Sequence, residues 1–122
     1  MLFIYGTLRE GAKNRSKVKG LLSSSQSAAT LGSLYLSGKY PLLLKAGGTR
    51  IVGELVELVD EAEAFNILDP FEGREYKRAQ IDVTTESGEK KVAWAYLYRE
   101  DSPPDDAIRI DSGDWLEYSK SK

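Results

Sequence analysis

The chain has 122 residues, of which 41% are hydrophobic, and its 17 basic and 19 acidic side chains give a net charge of −2. These values predict one soluble globular domain and give no electrostatic reason to expect nucleic acid or an anionic membrane as a partner. The chain has no Cys and no His, which excludes disulfides, thiolate nucleophiles, imidazole bases and the usual zinc sites. Proton transfer near neutral pH would then depend on a carboxylate, a Lys or a Tyr with a shifted pKa.

The first predicted element is a buried strand over residues 1–5 that ends in a glycine and a threonine. An apolar run followed by Gly6 is typical of a strand that leads into a tight turn. We expect Gly6 to adopt dihedral angles closed to other residues and to let a ligand approach the main chain. The backbone amides of Gly6, Thr7 and Leu8 would then converge on one cavity and bind a carboxylate or another anion.

A polar, basic segment over residues 10–20 follows, and we interpret it as a solvated loop with at most one helical turn. Together with Gly6 it resembles a phosphate-binding P-loop. The match fails because Ala12 stands where Lys must follow Gly11, and because Asn14, which follows Lys13, is not the Ser or Thr that would bind magnesium. Nucleotide hydrolysis is therefore not the function that this segment favours.

The middle of the chain predicts three extended segments, over residues 28–36, 40–44 and 50–59. Pro41 makes the second an edge strand or an extended segment, since proline cannot donate to a neighbouring strand. Gly47 and Gly48 predict a turn between the second and the third. Gly53 indicates a bulge or a sharp bend in the third strand, as the closing of a barrel would need.

One helix is predicted after these strands. Asp60 is its expected N-cap, and Glu63 would reach back to complete a capping box. Pro70 and Gly73 are expected to end the helix. Its predicted apolar face consists of Ala62, Phe65, Ile67 and Leu68.

Two further strands, over residues 76–86 and 90–98, are joined by a hairpin turn at Ser87 and Gly88. Strands outnumber helices, and their hairpins imply mostly antiparallel pairing. We therefore predict an α+β fold, a small mixed and mostly antiparallel β-barrel with one or two helices packed outside. The expected domain covers residues 1–118, and residues 119–122 are expected to form a flexible tail.

Glu72 is the candidate acid or base. It lies at the break between the predicted helix and the next strand, where loops often carry catalytic groups. If Phe71 and Tyr76 bury it, desolvation raises the pKa of its carboxyl and makes it a proton carrier near neutral pH. The alternative is an ordinary exposed carboxylate at the end of a helix.

Two charged residues flank this segment. Asp69 precedes Pro70 and is expected to cap or hydrogen-bond the turn there. Arg78 is either a salt-bridge partner or an anion ligand, and the salt bridge is the commoner arrangement.

Four motifs in the chain resemble those of the gamma-glutamylcyclotransferase-like family, in the subgroup that includes gamma-glutamylamine cyclotransferases. The match spans nearly the whole chain, and the motifs stand in the family order. They are Tyr5-Gly6-Thr7-Leu8-Arg9 with Gly11, Gly53-Glu54-Leu55, Leu68-Asp69 through Glu72-Gly73 to Tyr76 and Arg78, and Gly113-Asp114-Trp115.

This resemblance implies a mixed β-barrel with helices alongside. It also implies an enzyme that cyclises the gamma-glutamyl group of a peptide or amine to 5-oxoproline and releases the amine. The catalytic glutamate of the family corresponds to Glu72, and no cofactor or metal is expected. The residues expected to bind substrate are Tyr5, Gly6, Thr7, Leu8 and Tyr76.

Two alternatives to an enzyme remain. A non-catalytic module would bind a small carboxylate on the backbone amides of Gly6, Thr7 and Leu8, which we call the amide cradle. A purely structural interaction protein would use neither the amide cradle nor Glu72. We expect a cytoplasmic location, since the apolar start is too short for a signal peptide and no segment has the length of a membrane span. The leaving amine and the oligomeric state stay open.

Overall fold

The computed structural model describes residues 1–121, and its largest element is a closed β-barrel. The strands are β1 (Leu2–Ile4), β2 (Leu22–Ser37), β3 (Tyr40–Leu58), β4 (Tyr76–Thr85), β5 (Lys90–Tyr98) and β6 (Ile108–Arg109). The helices are α1 (Glu61–Glu72) and α2 (Trp115–Lys120), and two 3₁₀ turns cover Arg15–Lys17 and Lys19–Leu21. No helix in the described part of the chain is long and apolar enough to cross a membrane.

The barrel closes because β2 and β3 pair with each other as well as with other strands. The strand order is β3-β1-β5-β4-β2, and β2 then pairs again with β3. Among the strands of residues 1–121, only β1 and β5 run parallel, with Leu2 opposite Trp94. β6 adds a short sixth strand beside the end of β2. The predicted fold, a mixed and mostly antiparallel barrel with helices outside, is confirmed.

β2 and β3 form one long hairpin. Its turn consists of Gly38 and Lys39, with Gly38 at φ +61, and Ser37 pairs with Tyr40 across it. Pro41 pairs with β2 on one side only, which confirms the edge position predicted for it.

The turn predicted at Gly47 and Gly48 is wrong. Both glycines belong to β3, which runs through them without interruption. The register shifts there, because Gly32 pairs with Thr49 while the next residue, Ser33, pairs with Leu44. Residues 45–48 therefore bulge out of a continuous strand.

The bulge considered at Gly53 is absent from this part of β3. The pairing of Gly53 with Ala28 is regular, and the glycine is needed because β1 passes very close to β3. A Cβ atom at position 53 would lie 2.3 Å from the carbonyl oxygen of Ile4 and 2.8 Å from the ring of Phe3. This close approach lets β1 pack with both of its faces buried.

Two hydrophobic clusters lie on the two sides of β1. Phe3 and the neighbouring Tyr5 belong to the larger cluster, to which all five barrel strands contribute and which fills the barrel. Leu2 and Ile4 belong to the second cluster, which joins β1 and β5 to α1. The alternation of β1 thus fixes the position of the loop that follows it.

The N-cap of α1 is the predicted residue, and the buried face of α1 includes two of the four predicted apolar residues. The Asp60 carboxylate accepts a hydrogen bond from the Glu63 backbone N–H at 3.1 Å, which confirms the N-cap. Phe65 and Leu68 are buried as predicted together with Ala64, whereas Ala62 and Ile67 are exposed.

The end of α1 lies beyond Pro70, so the prediction that this proline ends the helix is wrong. A proline inside a helix loses the hydrogen bond of its own nitrogen and crowds the carbonyl four residues earlier, yet α1 continues for two residues past it. Gly73, at φ +87, is the C-cap, and its N–H donates to the Asp69 carbonyl at 3.3 Å. Glu72 is consequently held as the last helical residue.

α2 includes Ser119 and Lys120, so the helix covers part of the segment expected to be a flexible tail. Lys122, which belongs to the same expected tail, lies outside the described residues.

Replacement of Gly53 by Ala tests the contact between β1 and β3. We expect Gly53→Ala to lower the free energy of unfolding by about 1–3 kcal/mol, because the added methyl group overlaps backbone and ring atoms. Gly48→Ala on the same strand is the control, since nothing lies within 4 Å of its Cβ position, and we expect a change within about 0.5 kcal/mol. Urea unfolding measures both, and equal effects would contradict the close approach.

Candidate active site

A cavity of about 410 Å³ lies where β1 ends, between the start of β3 and the end of α1. This volume is within the range of small-molecule sites. The cavity brings together every residue that the sequence analysis assigned to the site, namely Tyr5, Gly6, Thr7, Leu8, Glu72 and Tyr76.

The loop after β1 carries unused hydrogen-bond donors. The carbonyl of Gly6 accepts from the Arg9 amide at 3.1 Å, and that of Thr7 accepts from the Asn14 amide at 2.7 Å. Within residues 1–121, the amides of Gly6, Thr7 and Leu8 donate no hydrogen bond. Adjacent free amides in the wall of a cavity are suited to bind an anion.

Gly6 serves this loop for a different reason from the one expected. It is not among the glycines with positive φ, so no special dihedral angle requires it, and that expectation was wrong. A Cβ atom at position 6 would lie 2.4 Å from Cγ of Pro41. The glycine is needed because Pro41 packs directly against the loop.

Glu72 projects from the last turn of α1 into the cavity and is partly buried. Burial raises the pKa of its carboxyl from 4.5 to about 7. The protonated and ionised forms are therefore both well populated at neutral pH, which suits a group that takes up a proton and returns it.

Four tyrosines line the cavity, and three of them have their hydroxyl hydrogen engaged. Tyr5 donates to the carbonyl of Tyr96, and Tyr76 donates to the carbonyl of Pro41 at 2.6 Å. Tyr96 donates to the carboxylate of Asp69 at 2.6 Å. Their oxygens can still accept hydrogen bonds from a ligand.

Burial raises the pKa of all three tyrosines, and the negative charge of Glu72 raises each of them further. Glu72 is therefore close enough to Tyr5, Tyr76 and Tyr96 to affect them electrostatically. These hydroxyls stay neutral at physiological pH, so Glu72 is the group among the four that can act as a base.

Asp69 and Arg78 form the support behind Tyr96. Arg78 donates to both carboxylate oxygens of Asp69, at 3.1 and 3.3 Å, and its guanidinium lies 3.9 Å from the ring centroid of Phe65. Of the two roles left open for Arg78, the structure shows the salt bridge. Asp69 accepts hydrogen bonds from Arg78 and Tyr96.

Pro41 and Tyr96 also line the cavity and were not predicted as site residues. Tyr96 lies on β5 and Pro41 on β3, and the sequence of a single strand carries no information about which strand lies beside it. Within residues 1–121, no three acidic side chains are grouped to hold a metal ion.

The chain matches a known family and several solved structures. Residues 2–117 match the family described as gamma-glutamyl cyclotransferase, AIG2-like. The chain is 33% identical over 126 residues to the gamma-L-glutamyl-butirosin B gamma-glutamyl cyclotransferase of Niallia circulans, covering 96% of this chain and 76% of that protein.

Two crystal structures have a similar fold. YkqA from Bacillus subtilis has a TM-score of 0.76 and 33% identity, covering 99% of this chain and 42% of that one. An AIG2-like protein from Mus musculus has a TM-score of 0.74 and 25% identity, covering 93% of this chain and 86% of that one. The chain thus spans less than half the length of YkqA. It belongs to the AIG2-like gamma-glutamyl cyclotransferase family and is an enzyme of gamma-glutamylcyclotransferase type.

Proposed function

We propose that the protein converts a gamma-glutamyl amine or peptide to 5-oxoproline and a free amine, with Glu72 as general base and then general acid. One observation carries the proposal. A partly buried carboxyl with a pKa near 7 and a row of free backbone amides line the same cavity. A small zwitterionic substrate needs both of these groups.

The amides of Gly6, Thr7 and Leu8 would bind the α-carboxylate of the glutamyl group. The hydroxyl oxygens of Tyr5 and Tyr76 would accept from its polar hydrogens, since their own hydrogens are engaged elsewhere. With one end held in this way, the chain would fold so that the α-nitrogen approaches its own γ-carbonyl carbon. Such orientation supplies a large part of the rate of an intramolecular reaction.

The α-ammonium has no lone pair and must lose a proton before it attacks. Ionised Glu72 would take that proton, and the nitrogen would form a bond to the γ-carbonyl carbon. Glu72 would then give the proton to the leaving nitrogen as its bond to that carbon breaks. Ionised Glu72 would then take a second proton from the attacking nitrogen and pass it to the released amine, so the two protons lost by the one nitrogen are gained by the other, and the amine departs as an ammonium ion.

This chemistry needs no imidazole or thiol, which suits a chain without His and Cys. We extend the proposal to a small-molecule substrate, no cofactor, no nucleic-acid partner and a cytoplasmic location. The Niallia relative is named for gamma-L-glutamyl-butirosin B, so the panel of possible substrates should include that compound.

Incubation with gamma-glutamyl dipeptides and gamma-glutamyl amines tests the activity, with 5-oxoproline measured by mass spectrometry. We expect turnover of at least one compound and a loss of about 100-fold or more in kcat for Glu72→Gln, because the amide cannot carry the proton. Glu63→Gln, an exposed change on the same helix, should leave kcat unchanged. Ligand binding without turnover in the wild-type protein would instead identify a carboxylate-binding module.

The activity should also depend on pH in a defined direction. Because the ionised form of Glu72 is the base, kcat/KM should rise as pH increases and level off above about 7. Initial rates between pH 5 and 8.5 measure this profile. A flat profile across that range would contradict a base with this pKa.

The raised pKa of Glu72 can also be tested without turnover. Because the folded chain binds this proton more tightly than the unfolded chain, stability falls as pH rises from 4.5 to about 7 and stays lowered above that. Glu72→Gln removes the penalty, so we expect it to stabilise the fold by about 1–3 kcal/mol at pH 8 and by much less at pH 5. Thermal unfolding at the two pH values measures the difference, and an equal gain at both would contradict the shift.

A further inference from the structure

Three charged residues from separate sequence motifs meet beside the amide cradle and have no part in the proposed chemistry. They are Arg9, Glu54 and Asp114. Glu54 lies on β3, opposite Ile4, the last residue of β1. Its side chain is only 12% exposed, and burial of a carboxylate is costly unless it is paired and hydrogen-bonded.

The Glu54 carboxylate holds the cradle loop on both of its sides. One oxygen accepts from the backbone N–H of Glu10 at 2.9 Å. The other accepts from Nη1 of Arg15 at 2.7 Å, and the same nitrogen of Arg15 lies 3.4 Å from the carbonyl oxygen of Leu8, to which it donates. Glu54 thus reaches Glu10 directly and Leu8 through Arg15.

Arg9 ties the middle of the loop to the rest of the fold. Its Nη1 lies 2.9 Å from the Asp114 carboxylate, and its Nε lies 3.7 Å from that of Glu54. The same oxygen of Asp114 accepts from the amides of Leu116 and Glu117 and so caps α2. Arg9 and Arg15 are therefore both paired with carboxylates. The free amides of the cradle are left to bind the carboxylate of a ligand.

We propose that Glu54 is a positioning residue, which holds the amides of Gly6, Thr7 and Leu8 in the geometry that binds the α-carboxylate of the substrate. The inference rests on the proposed function for the identity of that anion. The loop needs such support because strand pairing of β1 stops at Ile4. Beyond that residue, backbone pairing with β3 no longer fixes the chain.

The main test compares Glu54→Ala and Glu54→Gln with Glu57→Gln, an exposed change on the same strand. We expect Glu54→Ala to raise KM and the Kd for L-glutamate at least tenfold. Glu54→Gln should fall between Glu54→Ala and the wild type, since its amide oxygen still accepts one of the two hydrogen bonds. The pH at which kcat/KM levels off should not change, because burial and not the charge of Glu54 raises the pKa of the Glu72 carboxyl.

A role limited to stability would give a different result. In that case the midpoint of thermal unfolding would fall, while KM and Kd stayed at their wild-type values. KM is measured from initial rates and Kd by calorimetry, at a temperature at which circular dichroism shows each variant folded. That outcome would overturn the proposal.

A second variant covers the case in which Glu54 variants do not fold. Arg15→Met removes the link from Glu54 to Leu8 at a residue that is partly exposed. Lys19→Met, an exposed change in the same segment, is the control for the loss of one positive charge. We expect hydrogen exchange of the Asn14 amide, which is bonded to Thr7, to be at least tenfold faster in Arg15→Met than in Lys19→Met.

Hydrogen exchange also separates this inference from the proposed function, since it needs neither turnover nor a ligand. A wild-type protein that shows no turnover would end the proposed function. Faster exchange at Asn14, without a change in the amides of α1, would still support positioning by this network. Unchanged exchange at Asn14 would overturn the inference whatever the activity assay shows.

Discussion

The site depends on the burial of β1 on both faces. Phe3 packs inside the barrel, while Leu2 and Ile4 pack against α1. A strand of three residues would be weak by hydrogen bonding alone, and its position is instead fixed by these two clusters and by the close approach to Gly53. The loop that carries the free amides starts from the end of this fixed strand. Glu72 is the last residue of α1, the helix that packs against β1.

Local signals in the sequence predicted several features correctly. Asp60 caps α1, and the turn at Ser87 and Gly88 joins β4 to β5, because both features involve residues that are neighbours along the chain. Gly6 has no positive φ and Gly53 forms no bulge, and each glycine is instead required by a close contact with an atom far along the chain, Pro41 for Gly6 and Ile4 for Gly53. Spacing along one strand cannot reveal which side chain packs across from it.

The candidate site was predictable to a similar extent. The motif at residues 5–8 and the acidic position at Glu72 could be identified from the sequence, and they line one cavity. Tyr96 lines the cavity because β5 pairs in parallel with β1, and Pro41 lines it because of the long β2–β3 hairpin. Both depend on contacts far apart in sequence, which periodicity does not encode.

Pro41 touches two walls of the cavity at once. Its ring packs against Gly6, and its carbonyl accepts the hydroxyl of Tyr76. The amide loop and the start of β4 are consequently joined by one rigid residue, whose ring restricts its own backbone. The span between these walls is a property of the barrel itself, so discrimination among acyl groups by their length would require no moving lid.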